Sequence, residues 1–308
     1  MGVRVTVFMA TVKERILALK KEKNAVILAH NYTSPEVQDL ADYVGDSLGL
    51  SQKAAATDAD IIVFCGVSFM GETAKILSPQ KKVLLPEPEA KCAMAAMCSA
   101  EQIAQAKERY PDATVVAYVN TAAETKTAVD YCCTSANALN VVKQIPNNRI
   151  LFVPDSNLGK YVKEQSGKDI ILWNGFCPVH QCVTVRQVEE LKAEHPDAVV
   201  VAHPECRLDV LAISEFTGST EAILKYCVAS DRKEFIVLTE SGMGHRLEGA
   251  CPGKKFYFTS QSLCMTMKMI SPESILECME KETGEVVLSD EVLKKAYVPV
   301  KRMTDILG

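Results

Sequence analysis

Short apolar runs, each closed by polar residues, recur along the chain. In the first quarter they fall at residues 25–29, 61–65 (IIVFC) and 82–85 (KVLL). Runs of this length, apolar on both faces, suit buried parallel strands. Helical signals lie between them. Ser34-Pro35 opens a helix, since proline suits the first turn and serine its cap. Asp46-Ser47 begins a second through LGLSQKAAA, and residues 69–77 form a third. The unit therefore reads strand, helix, helix, strand, helix, strand, and right-handed crossovers give it a small parallel sheet covered by helices.

This unit occurs three times. The segments VILAHNYTSPEVQDLADYVGDS, VVAYVNTAAETKTAVDYCCTS and VVAHPECRLDVLAISEFTGST superpose with His30, Tyr118 and His203 as anchors, each preceded by an alanine. Thirteen positions on stand Tyr43, Tyr131 and Phe216, each after an acid: Asp42, Asp130 and Glu215. Seventeen positions on stand the hydroxyl residues Ser47, Ser135 and Thr220. The anchors lie 88 and then 85 residues apart, and Gly71, Gly159 and Gly244 repeat the same two spacings. Two independent landmarks with one spacing identify an internal repeat. The expected fold class is α/β: three pseudo-threefold-related α/β/α units around a central active site. The units span 23–110, 111–197 and 198–285, with 1–22 and 286–308 as terminal segments packing on them. Loops after the strand C-termini, where ligands bind in such sheets, then face the axis.

Each unit also carries a cysteine in the loop after its last strand. The sequences are KVLLPEPEAKC (Cys92), IILWNGFC (Cys177) and FYFTSQSLC (Cys264), with spacings of 85 and 87 residues. Threefold placement brings three thiolates to one point, where soft sulfur selects zinc, copper(I) or an iron–sulfur cluster. A cubane cluster ordinarily takes four cysteines, so three leave one iron open as a Lewis acid. Nine further cysteines complete a total of 12, with no C-x-x-C pair, which disfavours a zinc ribbon or bacterial ferredoxin site. Cys65, Cys132, Cys133, Cys227 and Cys278 read as packing residues.

Composition narrows the setting. The chain has 308 residues, 34 Lys plus Arg against 39 Asp plus Glu, and a net charge of -5. No basic block suggests nucleic acid, and no apolar run approaches the ~20 residues of a membrane span. The start, MGVRVTVFMATVKER, lacks a signal-peptide cleavage site, so the thiols point to a reducing, cytoplasmic setting. Met1-Gly2 with Thr6 fits the loose myristoylation pattern, which is frequent by chance.

The strand-end anchors bring a polar set to the same axis: His30, Asn31 and Tyr32; Tyr118 and Asn120; His203 and Glu205. His180 lies three residues after Cys177 and is expected near the metal. Ser47, Ser135 and Thr220 each open a helix; capping explains such residues, and converging helix N-termini also make an anion site. No Walker or Rossmann glycine motif is present, so a small phosphorylated or dicarboxylate substrate is favoured over a nucleotide.

Taken together, LAHNYTSPEVQDLADYVGDS, FCGVSFMGETAKIL, AYVNTAAETKTAVDYCCTSANA, PDSNLGKYV, GFCPVHQ, AHPEC, GSTEAI, TESGMGHRL and a C-terminal RM resemble the quinolinate synthase family of NAD biosynthesis, over nearly the whole chain. The resemblance implies condensation of iminoaspartate with dihydroxyacetone phosphate, losing phosphate and two waters to form quinolinate. It implies a [4Fe–4S] cluster on Cys92, Cys177 and Cys264, with the fourth iron open. It implies substrate contacts at His30, Tyr32, Ser47, Tyr118, Asn120, Ser135, His203, Glu205, Ser219 and Thr220, and functional coupling to L-aspartate oxidase. Glu205, His203 and Tyr32 are the expected proton-transfer residues. This chain departs from the family in reading KCAMAAM at the first cysteine loop and in Gly71 where alanine is usual; of the C-terminal cysteine triplet that some members carry, only Cys251 is present.

Overall fold

The computed structural model describes residues 10–306, so the Met1-Gly2-Thr6 pattern and the extreme N-terminus lie outside the described residues. Helix α1 (Val12–Glu22) leads into the first lobe: β1 (Ala25–His30), α2 (Pro35–Gln38), β2 (Tyr43–Gly45), α3 (Ser47–Ala56), β3 (Ile61–Cys65), α4 (Ser68–Leu77) and β4 (Lys82–Leu84). After α5 (Ala100–Arg109) the pattern repeats as β5 (Thr114–Tyr118), α6 (Ala123–Lys126), β6 (Tyr131–Cys133), α7 (Ala138–Gln144), β7 (Arg149–Val153), α8 (Ser156–Ser166) and β8 (Asp169–Leu172). After α9 (Pro178–Gln181) and α10 (Val185–Glu194) it repeats as β9 (Val199–Ala202), α11 (Leu208–Leu211), β10 (Phe216–Thr217), α12 (Thr220–Ala229), β11 (Glu234–Leu238), α13 (Met243–Ala250) and β12 (Lys255–Tyr257). Helices α14 (Pro272–Lys281) and α15 (Asp290–Asp305) complete the chain. The architecture is α/β, with three four-stranded parallel sheets ordered β2-β1-β3-β4, β6-β5-β7-β8 and β10-β9-β11-β12.

Each unit thus has one strand more than the strand, helix, helix, strand, helix, strand reading. The extra edge strands β2, β6 and β10 are two or three residues long, too short for a hydrophobic period to register. They explain the repeated acid–aromatic pair. Leu28, Val116 and Val201 pair with Tyr43, Tyr131 and Phe216. Just before each aromatic residue, Asp42 and Asp130 accept through their carboxylates from the N–H groups of Ile27 and Val115, both at 2.8 Å. Glu215 does the same with Val200. A buried N–H that no strand reaches is satisfied by this carboxylate.

The repeated glycines have an equally local cause. A Cβ at Gly71, Gly159 or Gly244 would lie 2.8, 2.7 or 3.2 Å from Leu85, Leu172 or Phe258, at or just beyond the end of the last strand of its own lobe. Glycine there lets α4, α8 and α13 press onto the sheet edge.

The lobes are linked cyclically. The helix after each cysteine loop packs on the next lobe: α5 on α6, α10 on α11 and β11, α14 on α1 and β3. Ile275, Leu276, Cys278 and Met279 of α14 share a core with Ile27, Ala29, Val63 and Cys65, so the last helix closes the ring on the first sheet. Helix α15 lies against α3, α4, α6 and β6, joining the first two lobes through Ala296, Val300 and Met303. No helix among the described residues is long and apolar enough to cross a membrane.

Candidate active site and metal centre

The C-terminal ends of the strands meet around one cavity of about 300 Å³. His30 ends β1, Tyr118 ends β5 and His203 follows β9, and all three line it. Cys92, Cys177 and Cys264 line the same cavity, as do Tyr32, Ser47, Asn120, Ser135, Glu205 and Thr220; they are the only cysteines on its wall. Val67, Phe69, Met70, Val179, Leu263 and Met267 make the rest largely apolar. Ser219 and Asn31 are the expected residues set back from this wall: the Ser219 hydroxyl accepts from the Ala222 N–H and caps α12, and Asn31 Nδ2 lies 2.7 Å from Thr220 Oγ1.

The cysteine loops are held by a threefold-repeated bond. The N–H groups of Ser68, Ser156 and Ser241 donate to the carbonyls of Ala90, Gly175 and Ser262 at 2.9, 2.7 and 2.7 Å, each acceptor two residues before its cysteine. In the second and third lobes a buried carboxylate adds to this. Asp155 and Glu240 accept from the N–H of Cys177 and Cys264, both at 3.1 Å. The first lobe has Val67 at that place, so its loop relies on the backbone bond.

The sulfur atoms are prepared for a soft metal. Burial pushes the Cys92 thiol up to about 12 and the Cys177 thiol well above its ordinary range, so neither ionises unaided at neutral pH. N–H groups of Ala95 and Met94 oppose this at Cys92, and that of His180 at Cys177. The Thr266 hydroxyl lies 3.4 Å from the Cys264 sulfur. Donors around sulfur favour thiolates once a cation displaces the protons. Three thiols lining one cavity, without a fourth, fit a cluster with one open iron. The Cys177 sulfur also lies within 4.8 Å of the ligand atoms of His180 and Glu205, a mixed S, N, O set. There the nitrogen and oxygens are already engaged with one another and with hydroxyl groups, which weighs against their being ligands.

Those engagements form a chain. Glu205 accepts from the Tyr118 hydroxyl at 2.5 Å and from His180 Nδ1 at 2.8 Å. In the neutral ring with its proton on Nδ1, His180 Nε2 accepts from Thr239 Oγ1 at 2.9 Å. Thr239 in turn accepts from the Tyr32 hydroxyl at 2.7 Å. Burial pushes Glu205 up, but His180 and His203 beside it and the bonds from His180 and Tyr118 prevail and hold it below the ordinary carboxylate range. Burial, with the charge on Glu205, keeps Tyr32 and Tyr118 well above theirs, and so neutral. Thr239 and the central place of His180 were not foreseen in the sequence. Thr239 immediately follows β11, and extending the strand-end rule to the third strand of each unit would have found it.

The hydroxyl ring differs from expectation in its local role. Asp46 and Ser219, not Ser47 and Thr220, make the capping bonds, to the N–H groups of Gly49 and Ala222. Ser135 opens no helix but lies in the turn before α7. Capping therefore does not account for Ser47, Ser135 or Thr220, and of the three only Ser47 and Thr220 open helices, α3 and α12, at the cavity. Ser135 instead bonds to His203 Nε2 at 3.0 Å. His203 Nδ1 accepts from the N–H of Glu205, as His30 Nδ1 does from that of Tyr32, so both rings present Nε2–H. Asn120 Oδ1 is buried with no protein partner, an acceptor left for a ligand.

Burial lowers His30 and His203 to about 3. Since the unfolded chain binds these protons near pH 6.5, their stabilisation is lost as pH falls from about 6.5 towards 3. A His30→Gln variant is expected to lose stability less steeply over that window, by about 1.4 kcal/mol per pH unit. Chemical denaturation across pH 4–7 measures this, and an unchanged slope would show that His30 is charged in the folded state.

A family model described as Quinolinate synthetase A protein matches residues 14–305. The chain belongs to this family. Among relatives, a protein named quinolinate synthase from Aquifex aeolicus is 48% identical over 302 residues, 96% of this chain and 94% of its own. Another of that name from Trichodesmium erythraeum is 47% identical over 300 residues, covering 95% and 93%. One from Methanosarcina barkeri is 48% identical over 291 residues, covering 94% and 96%. The quinolinate synthetase A match spans all three lobes, and hence every wall of the cavity.

Proposed function

We propose that this protein is a quinolinate synthase: it condenses iminoaspartate with dihydroxyacetone phosphate and releases quinolinate, phosphate and two waters. The observation that carries this reading is one cavity holding three lobe-related thiols beside a ring of acid–base and hydrogen-bonding groups. Cys92, Cys177 and Cys264 hold a [4Fe–4S] cluster. When bound, the cluster supplies a Lewis acid for loss of water.

The chain's own groups do the rest. Ser47, Ser135 and Thr220, with N–H groups of α3 and α12, receive the anionic ends of the substrates. Asn120 accepts from, and Tyr118 orients, the condensed intermediate. Tyr32 takes a substrate proton while passing its own to Thr239, and Thr239 passes its own to His180 Nε2. The imidazolium so formed is stabilised by Glu205; running the relay backwards delivers the proton to a departing hydroxyl. Glu205 thus acts through His180, and His203 positions Ser135, whereas the sequence suggested direct proton transfer by both. The apolar walls keep bulk water from the imine. Iminoaspartate hydrolyses readily, so we place the enzyme in the cytoplasm alongside an L-aspartate oxidase that supplies it.

The net reaction moves no electrons. Anaerobically purified protein given dihydroxyacetone phosphate, L-aspartate and L-aspartate oxidase is therefore expected to form quinolinate, measured chromatographically, without added reductant. A strict need for a reductant would favour a reductive three-lobed cluster enzyme, and cluster-loaded protein that makes no quinolinate would end the proposal.

A further inference from the structure

The three hydroxyls of the ring are not equivalent, because only one is held by an amide. Asn31 follows β1 and is fully buried. Its Nδ2 lies 2.7 Å from Thr220 Oγ1, and its Oδ1 lies 3.1 Å from Arg246 Nη1. Arg246, on α13, is held in turn by Glu221 at 2.7 Å. A guanidinium only donates, so it fixes which end of the amide is the oxygen; the other end, an NH₂ group, also only donates. Thr220 Oγ1 must therefore accept from Asn31, and its own proton must point elsewhere. Thr220 lines the cavity, and among the described residues its hydroxyl makes no hydrogen bond to a protein acceptor. The positions equivalent to Asn31 in the other lobes are Val119 and Pro204, so neither Ser135 nor Ser47 has such a partner.

We propose that Asn31 and Arg246 are positioning residues that hold the Thr220 hydroxyl as a donor aimed at an anionic oxygen of the substrate. The oxygen is a phosphate or a carboxylate oxygen, the two anionic groups of the substrates above; the inference rests on the reading that Thr220 meets the substrate. Arg246 also offsets the negative charge of Glu221, which would otherwise stand beside an anion.

The test is a double-mutant cycle on the holoenzyme, with calorimetric binding of inorganic phosphate and, separately, of malate. Asn31→Ala is expected to weaken binding of one probe about three- to tenfold, the value of one hydrogen bond. The same change in a Thr220→Val background is expected to have almost no effect, because its route of action is gone. Weaker phosphate assigns Thr220 to the phosphate end, and weaker malate to a carboxylate end. Arg246→Met, at a partly exposed side chain, is the second variant should the buried change impair folding. It is expected to act in the same direction and to be silenced by Thr220→Val in the same way. Equal weakening in both backgrounds, or unchanged binding of both probes, overturns the proposal. Failure of the wild type to bind either anion also overturns it, whereas quinolinate formation by that wild type would leave the proposed reaction standing.

Discussion

Replacing Cys92, Cys177 or Cys264 with serine is expected to cut iron and acid-labile sulfide from about four per chain to below one and to abolish quinolinate formation. The expectation comes from geometry: each lobe supplies one thiol to the cavity wall, and the other nine cysteines are elsewhere. With only three protein ligands, a cluster has none in reserve. Cys182 provides the control, being exposed and only five residues from Cys177. Cys182→Ser should retain iron, sulfide and turnover. Full iron content in Cys92→Ser, or equal loss in Cys182→Ser, would show that the ligand set is different.

The second large effect is on proton transfer with the cluster left in place. Tyr32→Phe keeps the ring and its edge contact with His30 but removes the hydroxyl 2.7 Å from Thr239. Turnover is expected to fall about 10²- to 10⁴-fold, with iron content unchanged. The loss should appear in kcat rather than KM, because the hydroxyl acts on the moving proton more than on the bound ground state. Glu205→Gln should cause a loss of the same order by another route. An amide has one acceptor where the carboxylate offers two, so either Tyr118 or His180 Nδ1 loses its partner. If His180 then carries its proton on Nε2, it no longer accepts from Thr239, and the relay is cut at its end. Near-normal turnover in either variant, with iron retained, would remove the Tyr32–Thr239–His180 chain from the mechanism.

How much of this was legible beforehand follows from the kind of signal each feature leaves. The two inner strands of each lobe are apolar runs of four to six residues, and burial on both faces prints itself directly on composition. The repeated acids, aromatics and glycines were visible as spacings, but their reasons were not. Asp42 is repeated because a carboxylate must reach the Ile27 N–H, and Gly159 because Leu172 leaves no room for a Cβ. The edge strands β2, β6 and β10 escaped, since two or three residues next to polar neighbours carry neither a period nor an apolar run. The capping assignment was one residue out, because Asp46 and Ser47, or Ser219 and Thr220, are both able caps and only the backbone path chooses between them.

Sequence alone determined that the chain is a threefold α/β repeat, that each repeat carries a thiol in one particular loop, and that polar residues follow the strands. These are periodic or local properties, set by burial of strands and by turn chemistry within a few tens of residues. Tertiary structure alone decided which of those polar groups meet. Thr239 between Tyr32 and His180, Glu205 between Tyr118 and His180, and Asn31 between Thr220 and Arg246 all join different lobes or distant segments. A hydrogen bond of this kind depends on placement to within a few tenths of an ångström, and that placement arises only when three sheets, closed in a ring by α14 packing on the first, fix one another's position.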